Sequence, residues 1–341
     1  MSALAPGSFA PSDDRFGEFP HSLDARVFVV ADERVLRLHP PVARAVKRVP
    51  HVALTAGENA KSLRTVERLA VAALDVPRDA TIIALGGGTI GDVTTVFAHL
   101  HKRGARLVHV PSTWLAAIDS SVGGKGAVNV KGRKNALGVF HAPAETWVCP
   151  QLFTTLTPAQ RLEGEAEAYK MALTLDATVW RTWRLARPDD TSLVRTSRAL
   201  KNAICVADPY ERTGRRAVLN FGHTFGHVIE SLTRYRVRHG VAVALGMVCA
   251  LDLSRALGAT NSLDVDRHLP LADSARSRVR AVFAGTTVAQ VKALLAGDKK
   301  GASATHTRFV LFNEPGRTEL RDVPHEAWKP LWRAWASGVA P

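Results

Sequence analysis

Apolar positions in the first 150 residues fall into short continuous runs with helical spacing between them. Arg26-Val27-Phe28-Val29-Val30, His51-Val52-Ala53-Leu54, Thr81-Ile82-Ile83-Ala84-Leu85 and Leu107-Val108-His109-Val110 have the length and β-branched content of buried strands. Between them, a helix is expected from Ala31-Asp32-Glu33 to about residue 47. A second carries Val66, Leu69, Ala70 and Ala73, and a third runs from Gly86-Gly87-Gly88 to Arg103-Gly104. Strand, helix and strand with short joins predict parallel α/β layers. Beyond 150 the period changes to that of helices, over 158–176, 191–207, 221–234, 240–257 and 287–296. Arg187–Asp190 and 258–274 read as loops, and Arg308–Phe312 as one late strand. The expected organisation is a loose extension (1–22, rich in Pro, Gly, Ser and Asp), an α/β domain (23–150) and a mainly helical domain (151–341).

Composition narrows the class. The 341 residues are 46% hydrophobic and 22% charged, ordinary for a globular chain with real cores. The net charge of +14 is spread out, with no basic run and no aromatic-interleaved patch. That excludes a dedicated nucleic-acid arm and leaves acidic small substrates as the partner class. Three cysteines without CxxC spacing fit a reducing, cytoplasmic setting. The N-terminus lacks the basic and apolar regions of a signal peptide. The longest apolar run, Val241–Leu251, is too short for a bilayer and suits a buried helix.

The chemistry clusters around Asn220-Phe221-Gly222-His223-Thr224-Phe225-Gly226-His227 and His239-Gly240. His223 and His227, four apart, share a helix face, and Gly222 and Gly226 clear that face for a close approach. Read alone, the pattern suits a metal or proton-transfer site, or a pair of packed histidines. Glu167 and Lys170 are three apart, an ordinary ion pair by spacing, yet a carboxylate with two histidines matches an open zinc site. The triple glycine between a strand and a helix lets a pyrophosphate reach backbone N–H groups, or simply makes a tight turn. Asp92 follows just inside that helix. The Pro111–Asn129 stretch adds Asp119 and Lys125 within Ser/Gly-rich chain, and Lys134-Asn135 follows.

Taken in order, these motifs resemble the 3-dehydroquinate synthases of the sugar-phosphate cyclase family. The match runs through Gly86-Gly87-Gly88-x-x-Gly91-Asp92, Pro111–Asn129, Lys134-Asn135-x-x-Gly138 and Ala166-Glu167-x-x-Lys170. It continues through Arg216–Glu230, His239-Gly240 and Asp298-Lys299-Lys300, covering about residues 26 to 312. The resemblance implies a Rossmann-like domain binding NAD, a helical domain holding a divalent metal (zinc, with cobalt as the other choice), and a cleft between them in a homodimer. It implies conversion of 3-deoxy-D-arabino-heptulosonate 7-phosphate to 3-dehydroquinate and phosphate, in the shikimate pathway, with NAD regenerated in each turnover. Metal ligands would be Glu167, His223 and His239, and NAD would contact Asp32, Glu58, Lys61, Gly87, Gly88, Thr89, Asp92, Ser112, Thr113 and Lys134. Substrate would meet Asp119, Lys125, Asn135, Lys170, Lys201, Arg216, Asn220, His227 and Lys299 or Lys300, with Arg103 reaching the neighbouring subunit's phosphate site. His227, Lys170, Asn220 and Glu211 would serve the chemistry.

The chain departs from the family at Ser112, Trp114, Gly126 and Val241, and its Asp208–Arg212 loop is one residue longer, which shifts the register of Glu211. A competing reading is a related cyclase of the 2-epi-5-epi-valiolone or aminocyclitol type, whose substrate lacks the carboxylate. Another is a non-catalytic relative that binds NAD or sugar. Lys125, Lys201 and Arg216, with Asn220 and His227, favour the carboxylated substrate.

Overall fold

The computed structural model describes residues 13–24, 26–297 and 305–337. In chain order come β1 (Asp13–Phe16), β2 (Val27–Asp32), α1 (Glu33–Leu38), α2 (Pro40–Val46), β3 (His51–Leu54), α3 (Leu63–Ala72), β4 (Thr81–Gly86), α4 (Gly88–Leu100) and β5 (Arg106–Pro111). They are followed by β6 (Lys125–Val130), β7 (Arg133–Phe140), β8 (Glu145–Val148), α5 (Pro158–Leu175), α6 (Ala177–Leu185) and α7 (Asp190–Ala207). The remainder is α8 (His223–Leu232), α9 (His239–Ala256), α10 (Ala272–Phe283), α11 (Val288–Gly297), the strands β9 (His306–Glu314) and β10 (Arg317–Pro324), and α12 (His325–Ser337).

Contacts divide the chain into two compact units. The first comprises residues 1–164 together with Lys201–Tyr210, and the second Glu165–Leu200 with Glu211–Pro341. The sequence marks the change in periodicity near 150, but the division by contacts falls between Gly164 and Glu165. It lies inside α5, where a continuous helical pattern leaves no loop signal.

The first unit is built on a six-stranded sheet of order β1-β8-β5-β4-β2-β3, parallel throughout. β2 is buried along its whole length, as its apolar run requires. Strand order reverses between β2 and β4, and ligands of such sheets bind outside the carboxyl ends at that point. Those ends here are Asp32 and Gly86-Gly87-Gly88. The expected single helix after β2 is two, α1 and α2, because His39-Pro40-Pro41 interrupts it.

Residues 13–22 are not loose throughout. β1 adds a parallel strand beside β8, and Phe19 is buried. Pro, Gly and acidic content hides a short edge strand, since edge strands need only one partner; residues 1–12 lie outside the described residues. The Ser/Gly-rich Pro111–Asn129 stretch runs into an antiparallel hairpin, β6–β7, whose register shifts between Val128 and Val130.

In the second unit, α8 packs on α9 at very short range. A Cβ on Gly246 would lie 2.1 Å from the Gly222 carbonyl oxygen. The face cleared by Gly222 and Gly226 therefore admits a neighbouring helix. α9 is long and apolar enough to cross a membrane, but 78% of it is buried in the structure, as expected of a core helix. The late strand is one arm of a hairpin, β9–β10. α6, α10 and α12 were not anticipated from the sequence.

Candidate active site

The first unit places the expected cofactor residues at the carboxyl ends of its strands. Asp32 ends β2 and caps α1 by accepting a hydrogen bond from the Arg34 backbone N–H at 2.8 Å. Burial pushes its carboxyl above the usual range, with that N–H opposing. Asp32, Arg34, Ser112, Thr113, Thr155 and Gln160 line one cleft. Thr155 and Gln160 are additions that sequence reading missed, since nothing in Thr-x4-Gln signals a ligand. Gly87 caps α4, so the N-terminal N–H groups of Gly88 and Thr89 stand at the positive end of that helix. Gly126 has its own reason. A Cβ there would meet the Thr95 Cβ at 2.5 Å, so β6 lies on α4 only with glycine at that point.

Lys61 is buried, and its Nζ donates to Asp92 Oδ2 at 2.5 Å and Asn135 Oδ1 at 2.6 Å. Burial pushes the Asp92 carboxyl up, and the Lys61 ammonium opposes the shift. Asn135, expected on the substrate side, is thus joined to the cofactor-side pair. Lys134 of the expected cofactor set is exposed, and so is Lys125, so the positive charge expected around a bound carboxylate is not all buried. Lys201 is buried, and its Nζ donates to Asp119 Oδ1 at 2.7 Å. Arg103 is exposed, at the end of α4's extension, with a left-handed backbone (φ 69°) shared by Lys102 (φ 45°). Two consecutive non-glycine residues in that region are uncommon and hold the turn in one shape.

In the second unit Glu167, His223 and His239 bring one ligand atom each to within 4.8 Å of one another. Glu167 is fully buried. Its Oε2 accepts a hydrogen bond from buried Lys170, so the i,i+3 pair lies in the interior, not on the surface. Its Oε1 is buried, accepts no hydrogen bond, and faces His223 Nε2 at 3.5 Å and His239 Nε2 at 3.7 Å. The other ring nitrogens are held from behind. His239 Nδ1 lies 3.3 Å from Glu230 Oε1, and His223 Nδ1 lies 3.3 Å from the Phe221 carbonyl oxygen. Such partners fix the tautomer that presents Nε2. Glu230 is a residue sequence reading passed over; its signal is the spacing His223-x6-Glu230, two turns along one helix.

Burial lowers His223 well below its usual 6.5, and the Lys170 charge adds to this, so the imidazole is neutral and able to ligate. A buried carboxylate oxygen without a hydrogen bond is costly unless a cation meets it. Two imidazoles and that oxygen form the donor set of a divalent site with open positions, which fits zinc or cobalt. His227 is exposed one turn from His223, with ring centroids 5.7 Å apart. Arg216 is buried, and its Nε lies 3.7 Å from Glu211 Oε1. Glu211 has a left-handed backbone (φ 55°), and its carboxylate faces Arg216. Asn220 ends the turn before α8. Lys299 and Lys300 lie outside the described residues.

A parallel sheet with a glycine-rich turn and a helical unit with a Glu/His/His donor set define an enzyme of the two-part α/β class with a candidate metal site. The chain belongs to the 3-dehydroquinate synthase family. The family model for the 3-dehydroquinate synthase N-terminal region matches residues 51–163, and that for the C-terminal region matches residues 164–301. A 3-dehydroquinate synthase from Endomicrobium trichonymphae is 39% identical over 245 residues, covering 67% of this chain and 68% of that protein. Among solved structures, the 2-epi-5-epi-valiolone synthase ValA of Streptomyces hygroscopicus subsp. jinggangensis 5008, with NAD+ and Zn2+ bound, superposes with a TM-score of 0.82. It is 24% identical and 99% of each chain is covered. A 2-deoxy-scyllo-inosose synthase complexed with carbaglucose-6-phosphate, NAD+ and Co2+ gives 0.78 at 23% identity, over 94% of this chain and 96% of that one.

Proposed function

We propose that the protein is a 3-dehydroquinate synthase. It converts 3-deoxy-D-arabino-heptulosonate 7-phosphate to 3-dehydroquinate and phosphate, using NAD and a divalent metal, zinc above others. The observation that carries this reading is Glu167, one oxygen bonded by Lys170 and the other left to two imidazoles. Bound NAD supplies a transient hydride acceptor, and the ion makes a substrate hydroxyl more acidic. The chain's own residues bind, orient and carry protons. The Asp32 cleft and the α4 N-terminus receive the dinucleotide. Lys170 holds the Glu167 carboxylate in place. His227, exposed beside His223, exchanges a proton with the departing phosphate. Arg216 offers a planar fork to the substrate carboxylate, its charge balanced at rest by Glu211, as Lys201's is by Asp119. The protein is expected to work as a homodimer in the cytoplasm, with Arg103 directed to the phosphate site of the second copy.

The test is phosphate release from a panel of sugar phosphates. The carboxylated heptulosonate phosphate should turn over, a chelator should stop it, and no NADH should accumulate in steady state. A carboxylate-free heptulose phosphate should be poorer by about ten- to a hundredfold in kcat/KM, the worth of one charge-assisted contact. Preference for the carboxylate-free sugar would place the protein with the other cyclases.

A further inference from the structure

The β6–β7 hairpin carries Lys134 and Asn135, yet β7 is almost wholly exposed. Such a hairpin needs something to hold its inner edge. The register shift of the hairpin sets three residues of β7, Lys134, Asn135 and Ala136, opposite the single residue Asn129 of β6. A bulge re-aims a side chain, and bulges gather beside active sites. Asn129, on the facing strand, is held by four hydrogen bonds. Its backbone N–H donates to the Lys61 carbonyl at 2.8 Å. Its Nδ2 donates to Glu58 Oε2 at 2.8 Å and to the Glu58 carbonyl at 3.3 Å. Its Oδ1 accepts the Asn135 backbone N–H at 2.9 Å. Asn135 has a left-handed backbone (φ 52°), and that single hydrogen bond pins it. The pinned side chain then accepts from Lys61 Nζ, which also holds Asp92.

We infer that Asn129 is a positioning residue that couples the cofactor side of the site, Glu58 and Lys61, to the substrate side, Asn135. One amide fixes both ends. Its donor sets the Glu58 carboxylate, and its acceptor sets the backbone of Asn135. Ordering of the 58–61 turn by NAD therefore orders the hairpin for substrate, and binding is sequential with NAD first. This rests on the assignment of Glu58 and Lys61 to NAD and of Asn135 to substrate.

The two ends of the amide can be cut separately. Asn129→Asp keeps the acceptor for Asn135 but replaces the donor to Glu58 with a second carboxylate oxygen. It should weaken NAD+ binding, read by calorimetry on cofactor-stripped protein, by about tenfold, while substrate KM at saturating NAD+ stays within about twofold. Asn129→Ala cuts both ends, and should raise the NAD+ Kd and the substrate KM each by about tenfold. Asn129→Asp combined with Glu58→Gln reverses the direction of the hydrogen bond, because the new amide donates to the new carboxylate. NAD+ affinity in that double variant should recover to that of Glu58→Gln alone. A structural role alone predicts no such recovery and an equal fall of all parameters with thermal stability. Unchanged Kd and KM in Asn129→Ala, with NAD+ binding lost in Lys61→Ala, would overturn the coupling and leave the cofactor assignment standing. Unchanged NAD+ binding in Lys61→Ala as well would overturn that assignment, and the inference with it.

Discussion

His239 illustrates how a single side chain is made into a ligand. Its Nε2 faces Glu167 and its Nδ1 faces Glu230, so one carboxylate stands on each side of the ring. Removing Glu230's charge frees the ring to rotate or change tautomer without touching the ligand set itself. Glu230→Gln should therefore lower zinc affinity by about ten- to a hundredfold, measured by chelator competition, while circular dichroism stays that of the native protein. Glu167→Ala should lose the metal altogether, since it removes the one ligand oxygen that no protein hydrogen bond satisfies. Metal content close to native in both variants would mean that the ion, if bound, sits elsewhere. The same residue-scale logic explains Trp114, unusual beside the cofactor loop. It is fully buried, Arg161 stacks on its ring at 4.9 Å, and Gly164 leaves room for it, since a Cβ there would come within 2.4 Å of the Trp114 Cβ.

Elements bring these residues together, and α8 against α9 matters most. His223 and His239 begin those two helices, and their rings are 5.3 Å apart because the helices touch backbone to backbone. Gly246 makes the contact possible. Gly246→Ala would force its Cβ against the Gly222 carbonyl and Gly226 N–H, and backbone cannot step aside cheaply. A loss of about 3 kcal/mol or more is expected from such overpacking, read from the urea midpoint, with metal affinity falling in parallel. An unchanged midpoint would show that the helices can separate without cost. Elements with a strong period were legible in the sequence. β2, β4 and β5 stand where continuous apolar runs put them, and α8 and α9 start and stop within a few residues of expectation. The metal triad was reached only through the ordered motifs, because no local pattern ties residue 167 to residue 239. What escaped notice was short or two-sided. β6 and β7 mix glycine, lysine and asparagine because β7 is exposed along almost its whole length, and α10 alternates arginine with small residues, which blurs its stripe.

For the molecule as a whole, the +14 charge has a use that scattered sequence positions conceal. Four buried cations are each set against an acid: Lys61 against Asp92, Lys170 against Glu167, Lys201 against Asp119, Arg216 against Glu211. Those four pairs add no net charge, so they leave the excess to other residues, and the part of it at the surface favours encounter with an anionic sugar phosphate. Lys201 has a further consequence through the route of the chain. It belongs with Asp119 in the first unit although some eighty residues separate them, and the chain re-enters that unit only for Lys201–Tyr210. Inheritance of the two halves is therefore not independent. A recombinant joined at Gly164 would take Asp119 from one parent and Lys201 from the other. Where the parents differ in this decapeptide, the hybrid should express poorly and unfold at a lower temperature than either. Moving the parental 201–210 segment along with residues 13–164 should restore the melting temperature. Recombination between divergent relatives would then survive only when it carries both pieces, so the unit of descent is the discontinuous fold and not the contiguous stretch of sequence.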